Sequence, residues 1–142
     1  SLNISASGLT AQRLRIDIIA NNLANTETTR TELGGPYRRQ LPVFGVRQED
    51  SFGSYMNRAL AKQSSGQGVR VIRIDEDTSP FEHRYQPGHP DADEEGYVLY
   101  PNVNVVTEMV DMISASRSYE ANAAAFNASK SIIVKALELG RR

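Results

Sequence analysis

Two histidines and two short segments carry the residue types in this 142-residue chain that could do chemistry. His83 and His89 lie in a polar stretch rich in Pro and Gly, and the chain contains no Gly-x-Ser-x-Gly turn of the kind that presents a nucleophilic serine. Because there is no Cys, nucleophilic catalysis would depend on a serine activated by one of these histidines. We expect both histidines to be loop residues and the protein not to be an enzyme.

Residues 91–96, with the sequence Asp-Ala-Asp-Glu-Glu-Gly, resemble the first half of a calcium-binding loop. The twelfth position of that loop falls on Asn102, where calcium binding requires a bidentate Glu, and His89-Pro90 opposes an entering helix. We therefore expect a solvated acidic turn, no metal site and no other cofactor.

Residues 66–68, Gly-Gln-Gly, lack the third glycine and the Lys-Ser/Thr pair of a phosphate-binding loop, and they precede a predicted strand. A hairpin or flexible loop is the better interpretation. No small-molecule substrate is expected.

Charge and hydropathy exclude two further classes of partner. The net charge is −1 and Arg38-Arg39 is too short for a basic patch, so the sequence does not predict a nucleic-acid binder. No apolar run reaches the roughly 20 residues that a membrane-spanning helix needs. No basic segment followed by an apolar stretch opens the sequence, so we expect no cleaved signal peptide.

The first 25 residues carry an apolar repeat with a spacing of seven, which places side chains on one face of a helix. Its members are Leu2, Leu9, Ile16 and Leu23. A turn-forming segment of Asn, Thr and Glu follows Ala24. The pattern predicts a helix over about residues 2–25.

The last third of the chain repeats this pattern over a longer span. One row consists of Val105, Met112, Tyr119, Phe126 and Ile133, and a second row consists of Met109, Ser116, Ala123, Lys130 and Leu137. Neither Pro nor Gly interrupts residues 102–139; Pro101-Asn102 is a start signal and Gly140 is a stop signal. A helix of about 36 residues would be roughly 54 Å long, and it needs another helix beside it to bury this face.

The middle of the chain predicts short strands. Residues 42–46, 69–74 and 97–100 are apolar or alternating runs, separated by loops at 63–68 and 86–90. We therefore predict an α+β fold: long N- and C-terminal amphipathic helices paired as a coiled-coil-like hairpin, with a small β-rich middle region. The predicted units are 1–29, 30–101 and 102–142.

Two segments of the sequence resemble one protein family closely. The first has Ser-Gly-Leu-Thr-Ala-Gln-Arg at 7–13, Asn-Asn-Leu-Ala-Asn at 21–25 and Thr28-Thr29. The second has Pro-Asn-Val-Asn at 101–104, Glu-Met-Val-Asp-Met at 108–112, Ala-Ser-Arg-Ser-Tyr-Glu-Ala-Asn at 115–122 and Leu-Glu-Leu-Gly at 137–140. Together they resemble the terminal signatures of the bacterial flagellar rod, hook and hook-associated axial proteins. The short middle region is most similar to the proximal basal-body rod proteins.

This resemblance implies a structural subunit of the flagellar basal body that assembles through its terminal helices into the periplasmic rod. It implies copies of the same chain and other proximal and distal rod proteins as partners, with the flagellar export apparatus as the route. The terminal helices would form an inner axial layer and the middle region would lie outside it.

The expected assembly residues are the heptad positions Leu2, Leu9, Ile16, Leu23, Val105, Met112, Tyr119, Phe126, Ile133 and Leu137. A second helical face, available to a neighbour, consists of Val106, Val110, Ile113, Ala121, Ala124, Ala128 and Ile132. Asn22 and Asn25 are predicted to set register or to cap a helix. The alternatives are another axial component of the family, and a helical adaptor or export chaperone that binds a partner helix in a groove.

Overall fold

The structure, a computed structural model, describes residues 2–47, Met56 and 68–141. Its elements are helix α1 (Leu2–Ala24), strands β1 (Gln40–Val46), β2 (Val69–Glu76), β3 (Glu82–Tyr85) and β4 (Tyr97–Tyr100), and helix α2 (Val105–Leu139). The predicted α+β class is confirmed, since two long terminal helices flank a middle region of two small antiparallel sheets. The loop predicted at 63–68 lies outside the described residues except for Gly68.

The two helices pack along each other in opposite directions, because Gly8 lies against Asn122 near one end and Asn22 contacts Glu108 near the other. Helix α1 has 23 residues and α2 has 35, or about 35 Å and 52 Å at 1.5 Å per residue. Helix α2 is therefore the longer of the two by about 17 Å. All residues from 130 to 139, which we call the distal segment, are exposed.

The centre of the contact between the helices is shifted from the predicted rows. The predicted row of α1 is half-buried, and the buried residues of α1 beside it are Ser7, Gly8, Ala11, Ile18, Ile19 and Asn22. In α2 the buried residues are Glu108 and Ala115. Met109 of the second predicted row is 54% exposed, so it does not lie in the contact with α1.

The physical reason for the shift is the size of the facing side chains. A Cβ atom at position 8 would lie 2.9 Å from Oδ1 of Asn122, so only glycine permits this approach without displacing that side chain. The repeat of large apolar residues marks the half-buried flanks of the contact, and the closest packing uses residues that the repeat does not include.

Helix α2 begins at Val105, shortly after the start signal in the sequence. Asn104 is its N-cap, and the side-chain oxygen of Asn104 accepts a hydrogen bond of 3.1 Å from the backbone N–H of Thr107. Gly140 follows Leu139 and ends the helix as predicted, with its N–H donating to the carbonyl of Ala136.

Strands β1 and β2 pair antiparallel and pack on α1. The register shifts after Val43, and the extra residue in β2 is Ile72, which lies over Gly45. Strands β3 and β4 form the second sheet, in which Val98 and Tyr100 are buried. The three predicted strands correspond to β1, β2 and β4, and β3 was not predicted.

The buried apolar residues are few for a chain of this length. Among the described residues they are Ala11, Ile18, Ile19, Val98, Tyr100 and Ala115. They lie along the helix pair and in β4. Much of the apolar surface of α2 consequently stays on the outside of the molecule.

Candidate assembly surface and polar junction

The side of α2 that faces away from α1 is apolar over most of its length. The face consists of Val106, Val110, Ile113, Ala121, Ala124, Ala128 and Ile132, which we call the outer stripe, and every member is exposed. Val106 is 70% exposed and Ile132 is 68% exposed, and Arg117 is the polar interruption between the two halves of the stripe. Because Glu108 and Ala115 are buried on the opposite side, α2 has one face turned to its partner helix and a second, apolar one turned to solvent.

The distal segment adds further exposed apolar side chains. Ile133 and Leu137 lie on the same face of α2 as Ala115, and Leu137 is 65% exposed. Val134 and Leu139 are exposed beside them. Contiguous apolar surface of this kind marks a site of protein–protein contact.

The predicted assembly residues fall into two groups. The half-buried ones are Leu2, Leu9, Ile16, Leu23, Met112 and Phe126. The exposed ones are Val105, Tyr119, Ile133 and Leu137. The structure thus places the first group along the helix pair and the second group where another molecule can reach it, and their role in assembly stays a prediction.

A buried polar cluster closes the base of the helix pair. The Asn22 side chain is 1% exposed and bonds to both backbone groups of Gln40, donating to its carbonyl at 2.9 Å and accepting from its N–H at 3.0 Å. Asn22 also accepts from the hydroxyl of Tyr37 at 2.8 Å and donates to Glu108 at 3.3 Å. Burial raises the pKa of Tyr37, which therefore stays a hydroxyl donor.

Arg39 occupies the centre of this cluster. Its guanidinium forms an ion pair with Glu108, which is 1% exposed, and longer ones with Asp77 at 3.3 Å and Asp111 at 3.5 Å. Burial alone would lower the pKa of Arg39, but the hydrogen bond and charge of Glu108 outweigh it and raise the pKa. We call Asn22, Arg39, Gln40 and Glu108 the polar junction.

The sequence indicated only part of the polar junction. Asn22 was predicted to set register, whereas Glu108 and Arg39 were not singled out. Glu108 lies four residues before Met112, a predicted seam position, and residues four apart share a helix face. The sequence signal that could have indicated Glu108 was therefore a carboxylate on the helix face predicted to be packed.

Asn25 follows the C-terminal end of α1. Its side-chain amide donates to the carbonyl of Asn21 at 2.8 Å, and its backbone N–H donates to the same carbonyl at 3.2 Å. Its side-chain oxygen accepts from the hydroxyl of Thr28 at 3.1 Å and stabilises the turn after the helix.

The acidic segment at 91–96 contacts the chain just after α1. Asp91 accepts a 2.7 Å hydrogen bond from Thr29 and pairs with Arg30, and these contacts lower the pKa of Asp91. In the part of the chain that the structure describes, no group of three or more acidic or histidine residues is placed to hold a metal ion. Neither helix, over the residues described, combines the length and apolarity needed to span a bilayer.

The remaining candidates for chemistry also have partners within the chain. Arg38 donates to the carbonyls of Asp77 and Ser79 and lies over the ring of Phe81. Nδ1 of His89 accepts from the N–H of Asp91, and His83 is exposed on β3. The described residues bring no nucleophile, base and orienting group together around either histidine.

Comparison with known proteins identifies the family. The segment 2–30 matches the family described as flagella basal body rod protein, and 94–139 matches the C-terminal region of the flagellar basal body rod FlgEFG proteins. The flagellar basal-body rod protein FlgC of Borreliella burgdorferi is 52% identical over 98% of this chain and 95% of its own length. This chain belongs to the flagellar basal-body rod protein family.

Other members of the rod family are similar over equal spans. The FlgC protein of Bacillus subtilis is 49% identical over 99% of this chain and 97% of its own length. The FlgC protein of Escherichia coli O157:H7 is 42% identical over 98% of this chain and 95% of its own length. The chain is thus a structural subunit of the flagellar basal-body rod, and both segments matched by the family include a helix of the pair.

Proposed function

We propose that this rod protein occupies the proximal part of the rod and assembles through its terminal helices with copies of itself and with other rod proteins. The observation that carries the proposal is the second apolar face of α2, formed by the outer stripe. A single chain leaves this face exposed, so assembly is the way in which it becomes buried.

A rod requires an open polymer. In such a polymer, the outer stripe is covered by a different surface of a neighbour and not by the same stripe of a second copy. Contacts between different surfaces can repeat without closing into a dimer, and their repetition builds helical tubes. The small residues Ala121, Ala124 and Ala128 permit a neighbouring helix to approach closely.

The proposed division of the chain follows from the same surfaces. Residues 1–29 and 102–142 form the inner axial unit, and residues 30–101 form an outer unit that the polar junction attaches to it. Assembly into a rod needs no catalysis, and no residue of this chain is assigned a catalytic or cofactor-binding role. Passage through the flagellar export apparatus to the periplasm stays a prediction from the family resemblance.

The test is a pair of charge substitutions on the outer stripe. Ile113→Asp with Ile132→Asp places two carboxylates on exposed positions, so the thermal unfolding of the purified chain should not change. The amount of the variant in isolated basal bodies should fall at least about tenfold, because burying an unpaired carboxylate in an interface is costly. Swimming in soft agar should be lost with it.

Asn127→Asp is the matched control, since position 127 is exposed on α2 outside the outer stripe. This variant should enter basal bodies normally. Normal incorporation of the Ile113→Asp/Ile132→Asp variant would contradict the proposal, as would an equal loss in the control.

A further inference from the structure

The apolar repeats of the two helices do not define a single alignment. Each repeats every seven residues, from Leu2 to Leu23 in α1 and from Val105 to Ile133 in α2. A displacement of α1 by seven residues would therefore place apolar rows opposite each other again. Apolar side chains alone stabilise both alignments.

The start of α2 decides the direction of such a displacement. Asn22 lies at the level of Glu108, and α2 begins at Val105. Sliding of α1 by seven residues away from Glu138 would carry Asn22 past the start of α2, so the displacement that keeps the helices packed is the one towards Glu138.

Hydrogen bonds and charge oppose this displacement. Gln40 bonds through both backbone groups to Asn22 of α1, and the adjacent Arg39 pairs with Glu108 of α2. The backbone N–H of Arg39 also donates to the side-chain oxygen of Asn102 at 2.8 Å, three residues before α2 begins. Two consecutive residues at the start of β1 therefore tie α1 and α2 to one point.

The slipped alignment would break these contacts without replacing them. Asn22 would move from Glu108 to the level of Ala115, which is completely buried and has no side-chain polar group. The N–H and C=O of Gln40 would lose their partner, and an unpaired buried polar group is strongly unfavourable. A single polar contact in an otherwise apolar seam can specify alignment in this way.

We propose that Asn22, Arg39 and Glu108 are positioning residues that fix the register of α1 on α2. The register is a property of the isolated chain and is tested there, so the result does not depend on the proposed function.

The test measures one distance between two spin labels. The chain has no Cys, so Arg13→Cys with Glu138→Cys gives two unique labelling sites, and both positions are exposed. A displacement of seven residues moves Arg13 about 10 Å along the axis towards Glu138. Double electron–electron resonance resolves a change of that size.

The labelled parent should give one narrow distance maximum. Asn22→Ala, which cuts the contact between α1 and Gln40, should add a second maximum about 10 Å shorter. Asn21→Ala is the matched control, because Asn21 is the neighbouring residue of the same type but is exposed, and its side-chain amide donates only at 3.2 and 3.5 Å. It should retain the single maximum.

Asn22→Ala with Glu108→Leu is the second variant. In Glu108→Leu alone, Asn22 would keep Gln40, and Arg39 would keep Asp111 and Asn102, so the tie between the helices would persist. The double variant removes a link from each helix and should populate the shorter maximum more than Asn22→Ala alone. A single unchanged maximum in both variants, or a broad distribution in the parent or in both variants, would overturn the proposal. Because basal-body assembly is not measured here, failure of the rod proposal would leave this result unaffected.

Discussion

Gly68 shows how one residue joins the middle region to the helix pair. It has a φ of +86°, in the left-handed region that favours glycine, and a Cβ atom there would collide with the hydroxyl of Ser7. That hydroxyl donates to the carbonyl of Ile4 at 2.7 Å and accepts from the N–H of Val69 at 3.0 Å. The start of β2 is therefore fixed to α1 through a contact that needs a residue without a side chain.

Gly68→Ala should destabilise the protein more than Gly34→Ala. Both glycines have positive φ, but nothing lies within 4 Å of a Cβ at Gly34, so that substitution measures backbone strain alone, about 1–2 kcal/mol. Gly68→Ala should cost about 1–2 kcal/mol more, because Ser7 must move and its bond to Val69 is lost. Urea unfolding monitored by circular dichroism measures the free energy of unfolding of both variants. Equal losses of stability would contradict the role of Ser7.

Single residues were the hardest part of the structure to predict. The histidines and the acidic segment could be named from the sequence, but His83 lies on β3 and not in the predicted loop. The polar junction has no recognisable spacing, because Arg39 and Glu108 are 69 positions apart in the sequence. They meet only when the start of β1 packs at the base of the helices. Their pairing depends on the fold, so no local pattern contains it.

At the scale of elements, the two helices were predicted because their apolar residues recur with a helical period. The helices were predicted at 2–25 and within 102–139, and they occupy Leu2–Ala24 and Val105–Leu139. Strand β3 was missed because Glu82–Tyr85 has no alternation of apolar and polar residues. It forms by pairing with β4, where the guanidinium of Arg84 lies 4.1 Å from the centre of the Tyr100 ring.

Asn104→Ala should destabilise the start of α2 by about 1 kcal/mol, because the N–H of Thr107 loses its partner. Asn104→Ser keeps a side-chain oxygen at the cap and should lose only a few tenths of that amount. Hydrogen exchange of the first turn of α2 should rise in the alanine variant and stay near the parent rate in the serine variant. Equal exchange in the two variants would show that the cap does not hold this turn.

At the scale of the whole molecule, the small buried core and the exposed apolar surface have one origin. A helix as long as α2 cannot bury two opposite faces within a chain of this size. One face packs on α1, and the other face stays outside together with the distal segment. The phase of the contact with α1 was not predictable from large apolar residues, because close packing selects Gly8 and Ala115.

Phe126→Asp should disrupt the helix pair and leave the middle region folded. Phe126 is half-buried on α2, so a carboxylate there should loosen α1 from α2 and lower helical content on heating. The contacts between β3 and β4 are remote from it and should persist in hydrogen exchange. The variant should be missing from isolated basal bodies, and normal motility would contradict the assignment of Phe126 to assembly.

The unlike ends of the helix pair also give the subunit a direction. One end carries the polar junction at Asn22 and Glu108, and towards the other end lies the close contact of Gly8 with Asn122. Subunits that join through such unlike ends form a polymer whose two ends expose different residues. Addition at one tip is then a different reaction from addition at the other, so growth can proceed from one end while the opposite end stays inert.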